Sequence, residues 1–288
     1  EELKARNYSI FSRKLDELMR DRLEKKEQIM LFLNRRGFAG FVSCRQCGEV
    51  VGCPHCSVAL KPHMAGDRVS YLMCHYCGYK LQMPDKCPSC GSLYISSFGI
   101  GTQQVEQMVK KRFPQADVLR MDADTTTGKN AHENILKEYS KGGADILIGT
   151  QMIVKGHDFP DVTLVGIVAA DISLYASDYR AAERTFQLLT QAVGRAGRGS
   201  KAGEAVIQTY MPEHYSIQTA AKQDYDAFYE QEILYRELMG YPPVDEMLGI
   251  YLSGKDLEKL ESCAEQLAEW ICNAHVEGLC LIGPADAA

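Results

Sequence analysis

The sequence predicts an α/β fold: a parallel sheet covered by helices on both faces, interrupted by a small metal-braced insertion and followed by the start of an α+β domain. Three observations carry that prediction. Short apolar runs alternate with amphipathic stretches as far as about residue 224. Eight of the eleven cysteines fall between positions 44 and 90, in four Cys-x-x-Cys pairs. Beyond about position 225 the pattern gives way to an acidic, aromatic helix broken by Tyr241-Pro242-Pro243.

The elements follow in order. Lys4 to Lys26 places Ile10, Leu15, Leu18 and Leu23 among charges, a helix with one buried stripe. Ile29 to Leu33 is a short apolar run, expected as a buried strand. After the cysteines, Thr102 to Phe113 reads as helix, Val118 to Asp122 as strand, His132 to Tyr139 as helix and Asp145 to Gly149 as strand. Val162 to Val168 is a strongly apolar strand, Ala181 to Val193 a helix and Gly203 to Tyr210 a strand. Tyr225 to Met239 is helix; a strand over Met247 to Leu252, a helix over Asp256 to Cys272 and a partial strand over Leu279 to Ile282 complete the reading. The chain starts at Glu1 and stops soon after Gly283-Pro284, so it is expected to be part of a longer protein. Parallel sheets of this kind bind ligands outside the carboxyl ends of their strands.

Composition narrows the partners. The formal net charge of −6 argues against a dedicated nucleic-acid coat protein, so any DNA contact must come from local patches. No apolar run approaches the ~18–20 residues that span a bilayer, and no basic-then-apolar segment opens the chain. The expected location is the cytoplasm, with no membrane partner.

The four cysteine pairs are Cys44/Cys47, Cys53/Cys56, Cys74/Cys77 and Cys87/Cys90. Two such pairs complete a tetrahedral four-thiolate zinc site. Gly48, Gly78 and Gly91 follow three of them, as suits a tight knuckle; Ser57 follows the fourth. Disulfides would need an oxidising compartment, and a redox motif would be one pair opening a helix. The stretch between Cys56 and Cys74 has zinc-ribbon spacing, which joins the second and third pairs. The first and fourth flank the insertion and should meet at its base. The expected sites are therefore Cys44, Cys47, Cys87 and Cys90 for one Zn2+, and Cys53, Cys56, Cys74 and Cys77 for a second. His55, His63 and His75 are expected to pack rather than ligate. Cys263, Cys272 and Cys280 have no ligand spacing and read as small buried residues.

Two further segments carry chemistry. In Gln191-Ala192-Val193-Gly194-Arg195-Ala196-Gly197-Arg198 the arginines are three apart, so on a helix both guanidiniums would leave one face. Arginine forks match phosphate oxygens, and small neighbours allow close approach; this is the pattern of an arginine finger. The bland reading is two solvated arginines at a helix end. Upstream, a strand ends in Gly149-Thr150 and a polar loop runs through Gln151, Lys155 and Gly156 to Asp158. Thr150 and Gln151 can donate to a DNA phosphate and Lys155 adds charge. Asp158 is suited to accept from a ribose or from one of the arginines.

These segments resemble motifs V and VI of superfamily-2 helicases, and the resemblance narrows to the PriA family of replication-restart helicases. Phe32-Leu33-Asn34-Arg35-Arg36-Gly37 leads into the cysteines, and Gly99-Ile100-Gly101-Thr102 resumes the lobe. Gly149-Thr150-Gln151-Met152, Lys155-Gly156-His157-Asp158-Phe159 and Gln187-Leu188-Leu189-Thr190-Gln191 are also similar to that family. The resemblance covers nearly the whole chain. It implies a RecA-like second motor lobe over residues 1–41 and 93–224, a two-zinc, zinc-ribbon-like insertion over 42–92, and a linker helix with the start of a truncated α+β C-terminal domain over 225–288. It further implies a 3′-to-5′ DNA helicase that recognises abandoned forks and promotes reloading of the replicative helicase. ATP and Mg2+ would be cofactors of the intact protein. Forked and single-stranded DNA, single-stranded DNA-binding protein and other primosome proteins would be partners. Arg195, Arg198 and Gln191 would be catalytic; Gly156, Asp158, Arg195 and Arg198 would meet the nucleotide; Thr102, Thr150, Gln151 and Lys155 would meet DNA.

Several apparent motifs fail on chemistry. Thr127-Gly128-Lys129-Asn130 lacks the upstream glycine and the hydroxyl of a P-loop, and Gly99-Ile100-Gly101 lacks the third glycine of a dinucleotide fingerprint. Val168-Ala169-Ala170-Asp171 ends like a Walker-B strand but no Glu follows. The chain is therefore expected not to hydrolyse ATP by itself. Phe98, Tyr71 and Tyr76 could stack bases or simply pack. Two other classes remain: a non-enzymatic zinc module that binds nucleic acid or protein, and a zinc-dependent oxidoreductase or hydrolase, which would need an open metal position.

Overall fold

A computed structural model describes all residues except 1, 3–6, 8, 34–40, 45, 57, 66–67, 76, 99–100, 123, 129, 154–158, 176–177 and 286–288. In chain order the elements are α1 (Arg13–Glu24), β1 (Gln28–Leu33), β2 (Phe41–Cys44), β3 (Lys61–Ala65), β4 (Arg68–Met73), β5 (Lys80–Gln82), β6 (Ile95–Phe98), α2 (Thr102–Arg112), β7 (Val118–Met121), α3 (Ala131–Ser140), β8 (Ile146–Gly149), β9 (Val162–Val168), a 3-10 turn (Ala170–Ser173), α4 (Ala181–Val193), β10 (Glu204–Ile207), α5 (Tyr215–Lys222), α6 (Tyr225–Met239) and α7 (Leu257–Asn273). They divide into two compact units: Glu1–Phe38 with Gly99–Leu234, and Ala39–Phe98 with Tyr235–Ala288.

The first unit is built on a five-stranded sheet in the order β10-β9-β1-β8-β7, with every neighbouring pair parallel. The central strands β1 and β9 are buried along their whole length, which is why both read as unbroken apolar runs. One core gathers Met30, Phe32, Leu147, Val165 and Ile167 from the sheet with Phe186 and Leu189 of α4 and Phe228 of α6. Phe228 lies flat on Phe186, their ring centroids 4.2 Å apart. Gly166 sits where α1 crosses the sheet: a Cβ there would lie 2.8 Å from Leu31 and 2.9 Å from Leu15. The buried Gln28 amide donates to the carbonyls of Tyr139 and Ala144, and the Tyr139 hydroxyl donates to that of Ile29, so the ends of α3 and β1 are tied by satisfied polar groups.

The first helix is shorter than the apolar stripe suggested. It starts at Arg13 because the Ser12 hydroxyl accepts from the Leu15 N–H, an N-cap that halts the helix there.

The second unit holds the cysteine-rich segment. β2 and β6 form an antiparallel stem, with Phe41 opposite Phe98 and Cys44 opposite Ile95. Beyond it, β3, β4 and β5 form an antiparallel three-stranded sheet. A small core of Val42, Val51, Leu60 and Leu72 packs with Cys53 and Cys74. The segments Met247–Leu252 and Leu279–Ile282, expected as strands, are not strands: they have no pairing partner among the described residues. Leu248 and Tyr251 are almost fully exposed. Apolar alternation marks a face but cannot supply the neighbouring strand a ladder needs. α7 does form, capped by the Asp256 side chain on the Lys259 N–H, and none of its residues is buried. Of the α+β character expected here, only the helical part is seen. Cys263, Cys272 and Cys280, expected as buried, are exposed.

Candidate arginine turn and metal centres

At the carboxyl edge of the sheet, β8 ends at Gly149, where a Cβ would lie 2.5 Å from Ile153 and 2.8 Å from the Met121 carbonyl. The absence of a side chain lets the chain turn at once. Thr150 is buried, its carbonyl accepts from the Ile153 N–H, and Gln151 follows half-exposed in the turn. Thr102 opens α2 on the same edge, but its hydroxyl is not offered outward. It is buried and donates to the Asp122 carboxylate at the end of β7. A phosphate would therefore meet backbone N–H groups of this helix start rather than the Thr102 side chain. Asp122 also accepts from the Asp124 and Thr125 N–H groups and pairs with Arg120 at 3.1 Å. Burial alone would raise its carboxyl, yet the Thr102 hydroxyl, these amides and the Arg120 guanidinium hold it below the usual carboxylate range. Lys155, Gly156 and Asp158 lie outside the described residues.

The arginines stand elsewhere. α4 ends at Val193, so Arg195 and Arg198 are not on one helical face as their spacing suggested. They sit on the turn that follows. Arg195 and Ala196 donate to carbonyls three residues back, Ala192 and Val193, which tightens the chain as it leaves the helix. Gly197 then takes φ +72° and donates to the Val162 carbonyl at 2.9 Å. A Cβ at Gly197 would run into the Gly203 backbone, and one at Gly199 into the Pro160 carbonyl. Arg195 is half-buried; Arg198 is exposed, with its Nε donating to the Gly194 carbonyl at 2.7 Å. Gln191 is exposed on the last turn of α4.

Val162 begins β9, so the arginine turn lies at the amino edge of the sheet. Thr102, Thr150 and Gln151 lie at the carboxyl edge. The two groups are a strand length apart, about 20 Å for the seven residues of β9. The carboxyl-edge rule for parallel sheets thus covers Thr102, Thr150 and Gln151 but not the arginine turn.

The eight clustered cysteines gather in two groups, Cys44, Cys47, Cys87 and Cys90, and Cys53, Cys56, Cys74 and Cys77, with all sulfurs of a group within 4.8 Å of one another. Sγ separations are 3.7 Å for Cys44–Cys90, 3.6 Å for Cys47–Cys87 and 3.6 Å for Cys53–Cys77. A tetrahedron of thiolates ~2.3 Å from zinc has an edge of about 3.8 Å, whereas a disulfide would draw the sulfurs to about 2.05 Å. The cysteines are free thiols at tetrahedral spacing. Gly48, Gly78 and Gly91 adopt φ of 82°, 74° and 70°, and each donates its N–H to the carbonyl of the first cysteine of its pair. Four negative sulfurs this close repel one another strongly. Four thiolates here therefore need a cation at their centre. His55 packs edge-on to Tyr79 and His63 lies flat on Tyr71, so neither belongs to a cluster. Tyr76 lies outside the described residues, as does the side chain of Phe98.

The sequence profile of the helicase conserved C-terminal domain matches residues 94–200, a span that includes both the carboxyl-edge loops and the arginine turn. Replication restart protein PriA of Bacillus subtilis is 47% identical over 99% of this chain, which spans 35% of that protein. The protein of the same name from Synechocystis sp. is 44% identical over 99% of the chain, with 34% of its own length covered. That from Haemophilus influenzae is 41% identical over 96%, with 37% covered. The chain spans about a third of the length of these curated relatives. No described helix is long and apolar enough to cross a membrane.

Proposed function

The chain belongs to the PriA family of replication restart proteins, and from that premise we propose that it is the second motor lobe and zinc module of an ATP-dependent 3′-to-5′ DNA helicase. Residues 1–41 and 93–224 form the lobe, 42–92 the zinc insertion, and 225–288 the linker helix and the start of a further domain. The intact protein acts in the cytoplasm on abandoned forks and on single strands, promotes loading of the replicative helicase, and works with single-stranded DNA-binding protein and other primosome proteins.

The observation that carries this reading is the arginine turn, pinned by Gly197 to the first residue of β9. A guanidinium pair on so constrained a backbone is prepared to meet charge that develops on a γ-phosphate held by another body. MgATP is the substrate that this partner body would cradle, with Arg195 and Arg198 completing the pocket, Gln191 beside them, and Gly156 and Asp158 meeting the nucleotide. Thr150, Gln151, Lys155 and the Thr102 end of α2 would hold the DNA strand at the opposite edge. Two Zn2+ ions in the cysteine clusters would brace the insertion; with all four positions filled by thiolate, neither leaves room for a substrate. With no phosphate-cradling glycine loop in its sequence, this chain alone turns over no ATP.

The test is Arg195→Ala in the intact polypeptide. DNA-stimulated ATP hydrolysis should fall by roughly 10³-fold or more, the scale of a lost arginine finger, while zinc content stays at two per chain. Unchanged hydrolysis would favour a module that only binds nucleic acid or protein.

A further inference from the structure

The loop that returns from the arginine turn, Gly199 to Gly203, is held from behind by one carboxylate. Glu27 lies between α1 and β1. One of its oxygens, Oε1, is 3.1 Å from Lys201 Nζ. The other, Oε2, accepts from the Thr163 hydroxyl at 2.7 Å and lies 3.5 Å from Arg22 Nε. Arg22, itself buried, also pairs with Asp21 and with Glu204 at the start of β10. Thr163 is the neighbour of Val162, whose carbonyl pins Gly197, and Gly203 abuts Gly197. Glu27 thus touches α1, β9 and the return loop at the point where the turn is fixed. We infer that Glu27 is a positioning residue that sets the Arg195–Arg198 turn through Lys201 and Thr163. This inference rests on the motor reading above.

Several observations favour positioning over mere surface pairing. The Glu27 side chain is only 13% exposed and has partners on three separate segments, whereas an isolated surface pair has one. The Thr163 hydroxyl bond, outweighing burial, helps hold its carboxyl below the usual range, so the group is ionised at neutral pH. Lys201 follows Arg198 by three residues, and Gly199 between them lies so close to the Pro160 carbonyl that no side chain fits there, so the Glu27–Lys201 pair holds a short segment with little room to move.

The experiment measures DNA-stimulated ATPase of the intact polypeptide for Glu27→Gln, Lys201→Met, Lys201→Arg, the double variant Glu27→Gln/Lys201→Met, and Arg195→Ala. Glu27→Gln keeps the size and the Thr163 contact but removes the charge. Glu27→Gln and Lys201→Met should each lower kcat by roughly tenfold to a hundredfold, the penalty for a misplaced catalytic group, with KM for ATP within about twofold. Lys201→Arg should restore kcat, and the double variant should be no worse than Glu27→Gln, since both act through one contact. Wild-type kcat in Glu27→Gln and Lys201→Met, or a multiplicative loss in the double variant, would overturn the inference while an inactive Arg195→Ala left the motor reading intact. An active Arg195→Ala would remove the motor reading itself. If Glu27→Gln does not fold, the exposed Lys201 variants decide the matter alone.

Discussion

Asp122 shows how much of this lobe rests on single side chains. It joins the start of α2 to the end of β7 by accepting from Thr102, Asp124 and Thr125 and pairing with Arg120, and its carboxyl is held below the usual range. A depressed folded pKa contributes stability that is present above the unfolded value, about 3.9, and is lost as the pH falls through the folded value. Asp122→Asn should therefore destabilise the chain by about 1.5–3 kcal/mol at neutral pH, and the gap to the native chain should close in urea titrations below about pH 4. A gap that persists unchanged at pH 3 would mean the charge is not what holds the junction. The cysteine clusters were legible in the sequence because their chemistry repeats at short spacing. The Thr102–Asp122 and Glu27–Lys201 contacts were not, because they join residues far apart in the chain and leave no local pattern. The sequence likewise offers the Thr102 hydroxyl but not the carboxylate that takes its proton.

Among the elements, the knuckles and the sheet behave differently. Periodicity revealed β1, β8, β9, α2 and α4 because burial on one stripe or both faces writes itself into residue order. It misplaced the start of α1, where a cap overrides the stripe, and it invented two strands after residue 240, where apolar order exists without a neighbour to pair with. It also carried Arg195 and Arg198 onto a helix that stops at Val193. In the cysteine-rich unit each cluster has two buried cysteines, but the other two are exposed in the first (Cys47 and Cys90) and half-buried in the second (Cys56 and Cys77), and only the second cluster joins the small core, through Cys53 and Cys74. Cys47→Ser and Cys53→Ser should each lower bound zinc from two to one per chain by metal analysis. Only Cys53→Ser should also abolish amide-exchange protection along β3 and β4, since it removes part of the core as well as a ligand. Equal loss of protection in both variants would show the clusters to be one cooperative centre.

At the scale of the whole molecule, two cores with no shared members imply two unfolding events. A strong chelator should erase amide-exchange protection across β3, β4 and β5 while β1 and β9 stay protected, because metal binding is folding free energy for a unit with so small a core. Simultaneous loss in both sheets would refute independent folding. The parallel sheet itself was predictable, and so was the nesting of the cysteine pairs. The placement of the arginine turn and the carboxyl-edge loops on opposite rims was not, since it depends on which end of β9 the turn is bonded to. One feature of the cysteine-rich segment bears on how such proteins diversify. Phe41 and Phe98 are ladder partners, so the polypeptide departs on its excursion and comes home side by side. A graft point of that shape tolerates cargo of almost any length: evolution, or an engineer, can enlarge, shrink or exchange what lies between the two stem strands while their ladder stays the same.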